Sequence, residues 1–348
     1  MTGGPRTSVR VGRTGVDVTR LGLGSAEIGG LYTALSDAQA VGVVERAWEH
    51  GVRYFDTAPL YGYGTAERRL GMALQGRPRD ELTLSTKVGR IIVAADQVPP
   101  GADIDRQARD GVDDGNYGDV ADRRVIFDYS HDGVLRSVED SLTRLGLDRI
   151  DILFIHDPDD HWEAAIGQAY PALHDLRSQG VVGAIGAGMN QAGMLARFAR
   201  EGDFDVFMIA GRYTLLDQAA LDELLPLCEA KGIAAVAVGV MNSGILANPR
   251  RGAFFDYRTA PDELVARAQR LAEVCARHDV PLKTAAIRFP LGHPAVVAVA
   301  AGVRTIEHFE DYPRAFDTAI PAALWEELRA EGLVDAGAPV PMEGRLAW

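Results

Sequence analysis

Four titratable residues, Asp56, Tyr61, Lys87 and His156, stand at or just beyond the ends of short apolar runs. A tyrosine titrates near ~10 and is a poor acid or base at neutral pH. A neighbouring ammonium stabilises the phenolate and lowers that value, while a carboxylate holds the ammonium in place. Tyr61, Lys87 and Asp56 supply those three parts. His156 adds a ring nitrogen that can hydrogen-bond and orient a substrate oxygen. The chemistry expected of the set is proton transfer to or from an oxygen.

Such residues need elements that bring them together. Apolar runs over 21–25, 52–56, 82–87, 150–155, 181–186, 204–209, 233–238 and 296–300 read as strands, each followed by a helical pattern. Ser36 caps a helix ending near His50, with Gly51 as its stop, and Thr65 caps one running to Leu74. Ser130 caps a helix closed by Gly146, and further helices are expected over 162–179, 191–200, 221–231, 261–278 and 306–316. Eight strand–helix pairs predict a closed parallel (β/α)8 TIM barrel, in which the C-terminal strand ends converge on one pocket. A hairpin over 8–19 precedes the barrel, and a helix over 321–331 follows it. Residues 91–129 break the rhythm with seven aspartates, Asp103 to Asp122, several glycines and two adjacent prolines. This long insertion after strand 3 reads as an irregular loop at the rim, acting as a substrate lid. Its aspartates lack EF-hand spacing.

At 348 residues and 47% hydrophobic, the chain can bury a full core as one barrel domain, 1–348. A formal net charge of −13 disfavours nucleic-acid and anionic-membrane partners and leaves small polar molecules as the expected ligands. Cys228 and Cys275 read as buried small hydrophobes. No apolar leader segment and no run of membrane-spanning length stands out, so a soluble cytoplasmic protein is expected. No metal site is expected either: His156 and His161 are five apart and no ligand cluster emerges.

Several segments resemble the signatures of the aldo-keto reductases. They are Tyr54-Phe55-Asp56-Thr57-Ala58-Pro59-Leu60-Tyr61-Gly62, Ser85-Thr86-Lys87-Val88-Gly89, Leu145-Gly146-Leu147-Asp148-Arg149-Ile150-Asp151, Phe154-Ile155-His156-Asp157 and Ala301-Gly302-Val303-Arg304-Thr305. The resemblance runs from about Val11 to Phe316. It implies a barrel that binds NAD or NADP without a Rossmann domain, with Tyr61 as general acid/base, Lys87 tuning it, Asp56 paired with Lys87, and His156 orienting the substrate. Gly22-x-Gly24, Gly62-x-Gly64 and Gly186-x-Gly188, the last followed by Gln191, all lack the third glycine of a dinucleotide fingerprint, in keeping with this.

Departures from the family pattern narrow the branch. Gly188-Met189-Asn190 stands where Ser-Asn commonly holds the nicotinamide amide, and Asn190 is placed to take over that bond. After strand 7, Gly239 to Leu246 carries no stacking tyrosine; Gly239 and Leu246 are expected at the cofactor, and Asn242, Ser243 and Gly244 resemble a cradle for the pyrophosphate. Gly302, Arg304, Thr305, His308 and Asp311 are expected around the adenosine. Arg304 is the one assured cation there, which tilts the choice toward NAD. These variants are similar to the branch of L-fucose and D-threo-aldose 1-dehydrogenases, with pyridoxal 4-dehydrogenase as a neighbour. The implied reaction is oxidation of the anomeric hydroxyl of an aldose to the lactone. Pyridoxal oxidation, aldehyde or ketone reduction, and a non-catalytic cofactor-binding regulatory barrel stand as alternatives. Asp157 adds a polar acceptor suited to sugar hydroxyls, and Glu27, Tyr63, Tyr129 and Trp162 are further candidates for the mouth.

Overall fold

In the chain's computed structural model, which describes residues 4–31, 33–105 and 122–341, two short strands come first. β1 (Ser8–Arg10) and β2 (Asp17–Thr19) pair antiparallel as the expected hairpin. Val11 and Val18 of this hairpin pack with Tyr54, Ile152, Phe154, Val206, Val236 and Ala298 inside the barrel, so the hairpin plugs its N-terminal end.

The barrel strands are β3 (Leu21–Gly24), β4 (Tyr54–Asp56), β5 (Thr83–Val88), β8 (Ile152–His156), β9 (Ala184–Met189), β10 (Val206–Ala210), β11 (Ala234–Val238) and β14 (Val296–Gly302). They pair in parallel in chain order, and β14 returns to β3 to close the barrel. Helices wrap the outside and bury one apolar stripe against the strands, leaving the second, larger core layer between them. Small residues let large ones turn inward: a Cβ at Gly22 would come within 2.5 Å of the Tyr54 ring, which fills the interior instead.

Ser36 caps helix Asp37–Glu49 with a reciprocal bond to Gln39, and Ser130 caps His131–Leu145, whose end is closed by left-handed Gly146. Thr65 is not a cap: it is the first helical residue, and Gly64 takes the cap position without a side chain. The expected helix over 162–179 is interrupted by a π-helical turn, Ala165–Ala169. A short helix, Leu282–Arg288, went unread because residues Thr284 to Arg288 are all buried and show no amphipathic alternation.

The insertion differs most from expectation. Its ends form strands β6 (Arg90–Ala94) and β7 (Arg123–Phe127), paired antiparallel from Arg90↔Phe127 to Ala94↔Arg123. Ile91, Val93 and Ile126 make a small core of their own, a pattern hidden among the aspartates. A further two-stranded ribbon, β12 (Phe254–Phe255) with β13 (Arg258–Thr259), follows β11. The middle of the insertion, and with it the lid expectation, lies outside the described residues.

Candidate active site

Side chains alternate across a strand, and this decides which residues reach the pocket. In β8, Ile152 and Phe154 join the inner cluster while Leu153 and Ile155 join the outer one, so His156 turns inward at the strand's end. The same alternation places Tyr54 and Asp56 inward around outward Phe55, and Ser85 and Lys87 inward around outward Leu84 and Val88. Asp56 stands opposite Ser85 in the β4–β5 register.

Lys87 is 2% exposed and donates to Asp56 Oδ2 at 2.7 Å and to the Thr57 carbonyl at 2.9 Å. Ser85 Oγ donates to the other Asp56 oxygen at 2.7 Å. Tyr61 rides on the turn after β4, where Gly62, Tyr63 and Gly64 all take positive φ. Only glycine fits at position 62, since a Cβ there would lie 2.2 Å from the Gly29 carbonyl. The turn brings the Tyr61 ring edge-on to His156, 5.8 Å between centroids and 88° between planes, with Lys87 Nζ 4.6 Å from its centre. The four residues therefore form one cluster.

Its electrostatics are set first by burial. Burial, reinforced by Asp56, Asp157 and Glu27, pushes the Tyr61 phenol well above its ordinary value. Lys87 directs its hydrogen bonds to Asp56 and the Thr57 carbonyl. Burial also raises Asp56, against the pull of Lys87 and Ser85. His156 is held neutral, well below the ordinary histidine value, by burial and the cations Arg90 and Lys87. Its Nε2 lies 3.4 Å from Asp157 Oδ2, and its Nδ1 is buried without a partner among the described residues. A buried ring nitrogen left over in this way suits a ligand oxygen.

Residues that could hold a dinucleotide ring the same end of the barrel. Asn190 follows β9 and donates to the Ala210 carbonyl at 3.3 Å. Gly239, Asn242, Ser243 and Gly244 take left-handed backbone after β11. The Asn242 and Gly244 amides close onto the Gly239 and Met241 carbonyls, and the Asn242 side chain donates to Gly211, which leaves Ser243 as the exposed crest of the cradle. Leu246 departs from its expected place: it is fully buried in the outer core. Beyond β14, Thr305 caps helix Ile306–Asp317, whose first turn, with Arg304 beside it, offers positive charge to an anion. Arg304 donates to Thr33 Oγ1 at 3.1 Å, and His308 is exposed on the first turn. Asp311 is already bound by Lys283 at 2.7 Å, so it is not the free acceptor expected. A Cβ at Gly302 would sit 2.6 Å from the Glu27 carboxylate. The exposed crest and the helix N-terminus fit an anionic dinucleotide.

The Aldo/keto reductase family profile matches residues 20–331. The chain belongs to this family. It is 43% identical to a pyridoxal 4-dehydrogenase of Microbacterium luteolum, over 93% of this chain and 97% of that one. It is also 43% identical to a D-threo-aldose 1-dehydrogenase of a Pseudomonas species, over 92% and 96%. An aldo-keto reductase of Bacillus halodurans in its holo form shares the fold, with a TM-score of 0.72 and 23% identity over 96% and 98% of the two chains. The chain is accordingly an NAD(P)-dependent oxidoreductase. Among the described residues no helix is long and apolar enough to cross a membrane, and no group of three His, Cys, Asp or Glu could hold a metal ion.

Around the mouth of this aldo-keto reductase, the five substrate candidates divide. Asp157 lies at the cluster, its Oδ2 3.4 Å from His156 Nε2, whereas Glu27 lies against Gly302 and acts on Tyr61 through its charge. Burial, eased by Arg90, pushes the Asp157 carboxyl up to about 6. Tyr63 is buried, and its carbonyl accepts from Arg123 on β7. Tyr129 does not point into the mouth: its hydroxyl donates to the His156 carbonyl at 2.6 Å. Trp162 packs on Phe198 in the helical layer, under the Arg197 guanidinium. Sequence reasoning missed Arg90 and Asp105, a buried ion pair at 2.8 Å beside His156. Their signal was slight: one arginine three residues past Lys87 and one of seven aspartates.

Proposed function

We propose that this aldo-keto reductase is an NAD-dependent dehydrogenase oxidising the anomeric hydroxyl of an aldose to its lactone. The observation carrying this reading is the acceptor Asp157, whose Oδ2 lies 3.4 Å from His156 Nε2 at the edge of the Asp56–Tyr61–Lys87–His156 cluster, a polar lining that suits a polyol. The family relationship to a D-threo-aldose 1-dehydrogenase supports it. The hydroxyl oxygen would lie between the Tyr61 phenol and His156, which as a neutral imidazole donates a hydrogen bond without charge. Tyr61, once ionised, takes the hydroxyl proton; Lys87 and Asp56 hold opposite charges beneath it. A bound nicotinamide would supply the hydride acceptor that this oxidation requires. Ser243, Thr305 and Arg304 would hold the dinucleotide phosphates, and Asn190 the amide. Glu27 beside Gly302 would repel a 2′-phosphate, the reason for preferring NAD.

Two other readings have support of their own. Pyridoxal oxidation shares the identity figure of the sugar reading, and Asp157 would pair with a pyridinium. Carbonyl reduction draws on the raised Tyr61 value, because a protonated phenol is the form a reductase needs. The deciding experiment mixes purified protein with L-fucose, D-arabinose, L-galactose and pyridoxal, each with NAD⁺ and NADP⁺ separately, and follows reduced nicotinamide. A sugar signal with NAD⁺ supports the proposal; pyridoxal alone replaces it. Silence with cofactor still bound turns the reading to reduction or to a regulatory barrel.

A further inference from the structure

We infer that Arg90 is a positioning residue, which locks the end of β8 so that His156 and Asp157 face the pocket in fixed directions. The inference rests on the reading of those two side chains as substrate-facing. Arg90 is 1% exposed and does not reach the pocket itself. Its Nε donates to Asp105 Oδ2 at 2.8 Å, and its Nη1 to the His156 carbonyl at 2.8 Å, with Asp157 Oδ2 3.4 Å away. Its guanidinium lies 5.1 Å from the centre of the Phe127 ring. Reaching out from β6, one planar fork thus ties together β8, Asp105 and Phe127 of β7, a task the point charge of a lysine cannot perform.

The grip is applied where the backbone needs it. Asp157 takes φ +38°, a left-handed conformation that costs a non-glycine residue about 1 kcal/mol or more. Its amide donates to Gly188 at 3.0 Å, and its carbonyl accepts from Tyr129 at 3.1 Å. The same Tyr129 hydroxyl reaches the His156 carbonyl. Arg90 and Tyr129 therefore clamp that carbonyl from two sides, and Tyr129 in turn stacks on Phe127 at 6.1 Å. His161 closes the cluster, edge-on to Phe127 and Tyr129 with Nε2 3.3 Å from Asp103.

Arg90 also governs charge at the mouth. Burial, Asp159 and Asp105 favour the protonated Asp157 carboxyl, whereas Arg90 from β6 and Lys87 from β5 favour the carboxylate; neutral His156 lies alongside. Losing Arg90 moves Asp157 upward, so any step needing its carboxylate fails at a higher pH.

The test uses the full chain with Arg90→Met, Arg90→Lys, Asp105→Asn and Tyr129→Phe. Each variant is assayed for cofactor binding, melting temperature, kcat and KM against pH, and the nitrogen resonances of the His156 ring. Arg90→Met is expected to keep cofactor binding, lose kcat/KM by roughly 10- to 100-fold, shift the His156 resonances and move the acid limb upward. Arg90→Lys restores the limb but not kcat. Unchanged kcat/KM and unchanged His156 resonances in folded Arg90→Met overturn the inference. If that variant does not fold, the same null result in Asp105→Asn and Tyr129→Phe together overturns it. Should every substrate in the panel be silent, the His156 resonances still decide, so this inference and the proposed activity fail separately.

Discussion

Lys87 meets Tyr61 through the face of the ring, its ammonium 4.6 Å from the centre, while the hydrogen bond it donates at 2.7 Å goes to Asp56. The ammonium's hydrogen bonds thus go to other groups, and burial is the largest influence on the tyrosine. A protonated phenol at neutral pH follows.

The pH dependence carries that signature. Oxidation needs the Tyr61 phenolate, so kcat/KM for oxidation should climb steadily from neutral into alkaline pH. Reduction needs the phenol and should stay flat over the same range. Rate profiles in both directions check this, and Tyr61→Phe should lower kcat by roughly 10²- to 10⁴-fold with cofactor binding kept. An oxidation rate that is level from pH 7 upward (~7) would show a lowered tyrosine instead.

Asp56 and Lys87 are both buried, at 3% and 2% exposure, so neither tolerates losing the other. Lys87→Met or Asp56→Asn alone should cost about 3–5 kcal/mol of stability. The double variant should regain much of that while staying inactive. Denaturant melts beside turnover assays separate the two effects.

Gly89 takes φ +98°, and a Cβ there would come 2.0 Å from the Tyr129 ring. Gly89→Ala should lose about 1–3 kcal/mol from backbone strain, more from the displaced ring, and activity through the released His156 carbonyl. Gly101→Ala is the control: its φ is +77°, but nothing stands within 4 Å. Melting and kcat should fall together in the first, whereas the second should lose stability alone.

Glu27 should set the dinucleotide preference. The natural chain is expected to use NAD⁺ over NADP⁺, and Glu27→Gln should narrow the kcat/KM ratio by at least about tenfold. A ratio unmoved by that change removes Glu27 from cofactor selection.

Asp56, Lys87 and His156 were legible because a strand's two-residue period and its C-terminal end are both written in apolar runs. The barrel was legible for the same reason, through eight repeats of one pattern. The β6–β7 ribbon was not, because its three core residues are scattered among acidic ones. Arg90 escaped notice because its partners Asp105 and Asp157 are 15 and 67 positions away, a relation only folding creates. Trp162 and Leu246 were misplaced since an apolar residue near a motif looks the same whether it faces a ligand or the core. The direction of the Tyr61 shift depends on burial, which residue order does not record.

The Glu27 carboxylate lies where a Cβ at position 302 would stand, so a side chain there first has to move it aside. A lysine arising there first would meet that carboxylate and be neutralised, leaving no charge for a phosphate. A lineage moving from one dinucleotide to the other through these two positions therefore has a preferred itinerary, with Glu27 replaced before Gly302.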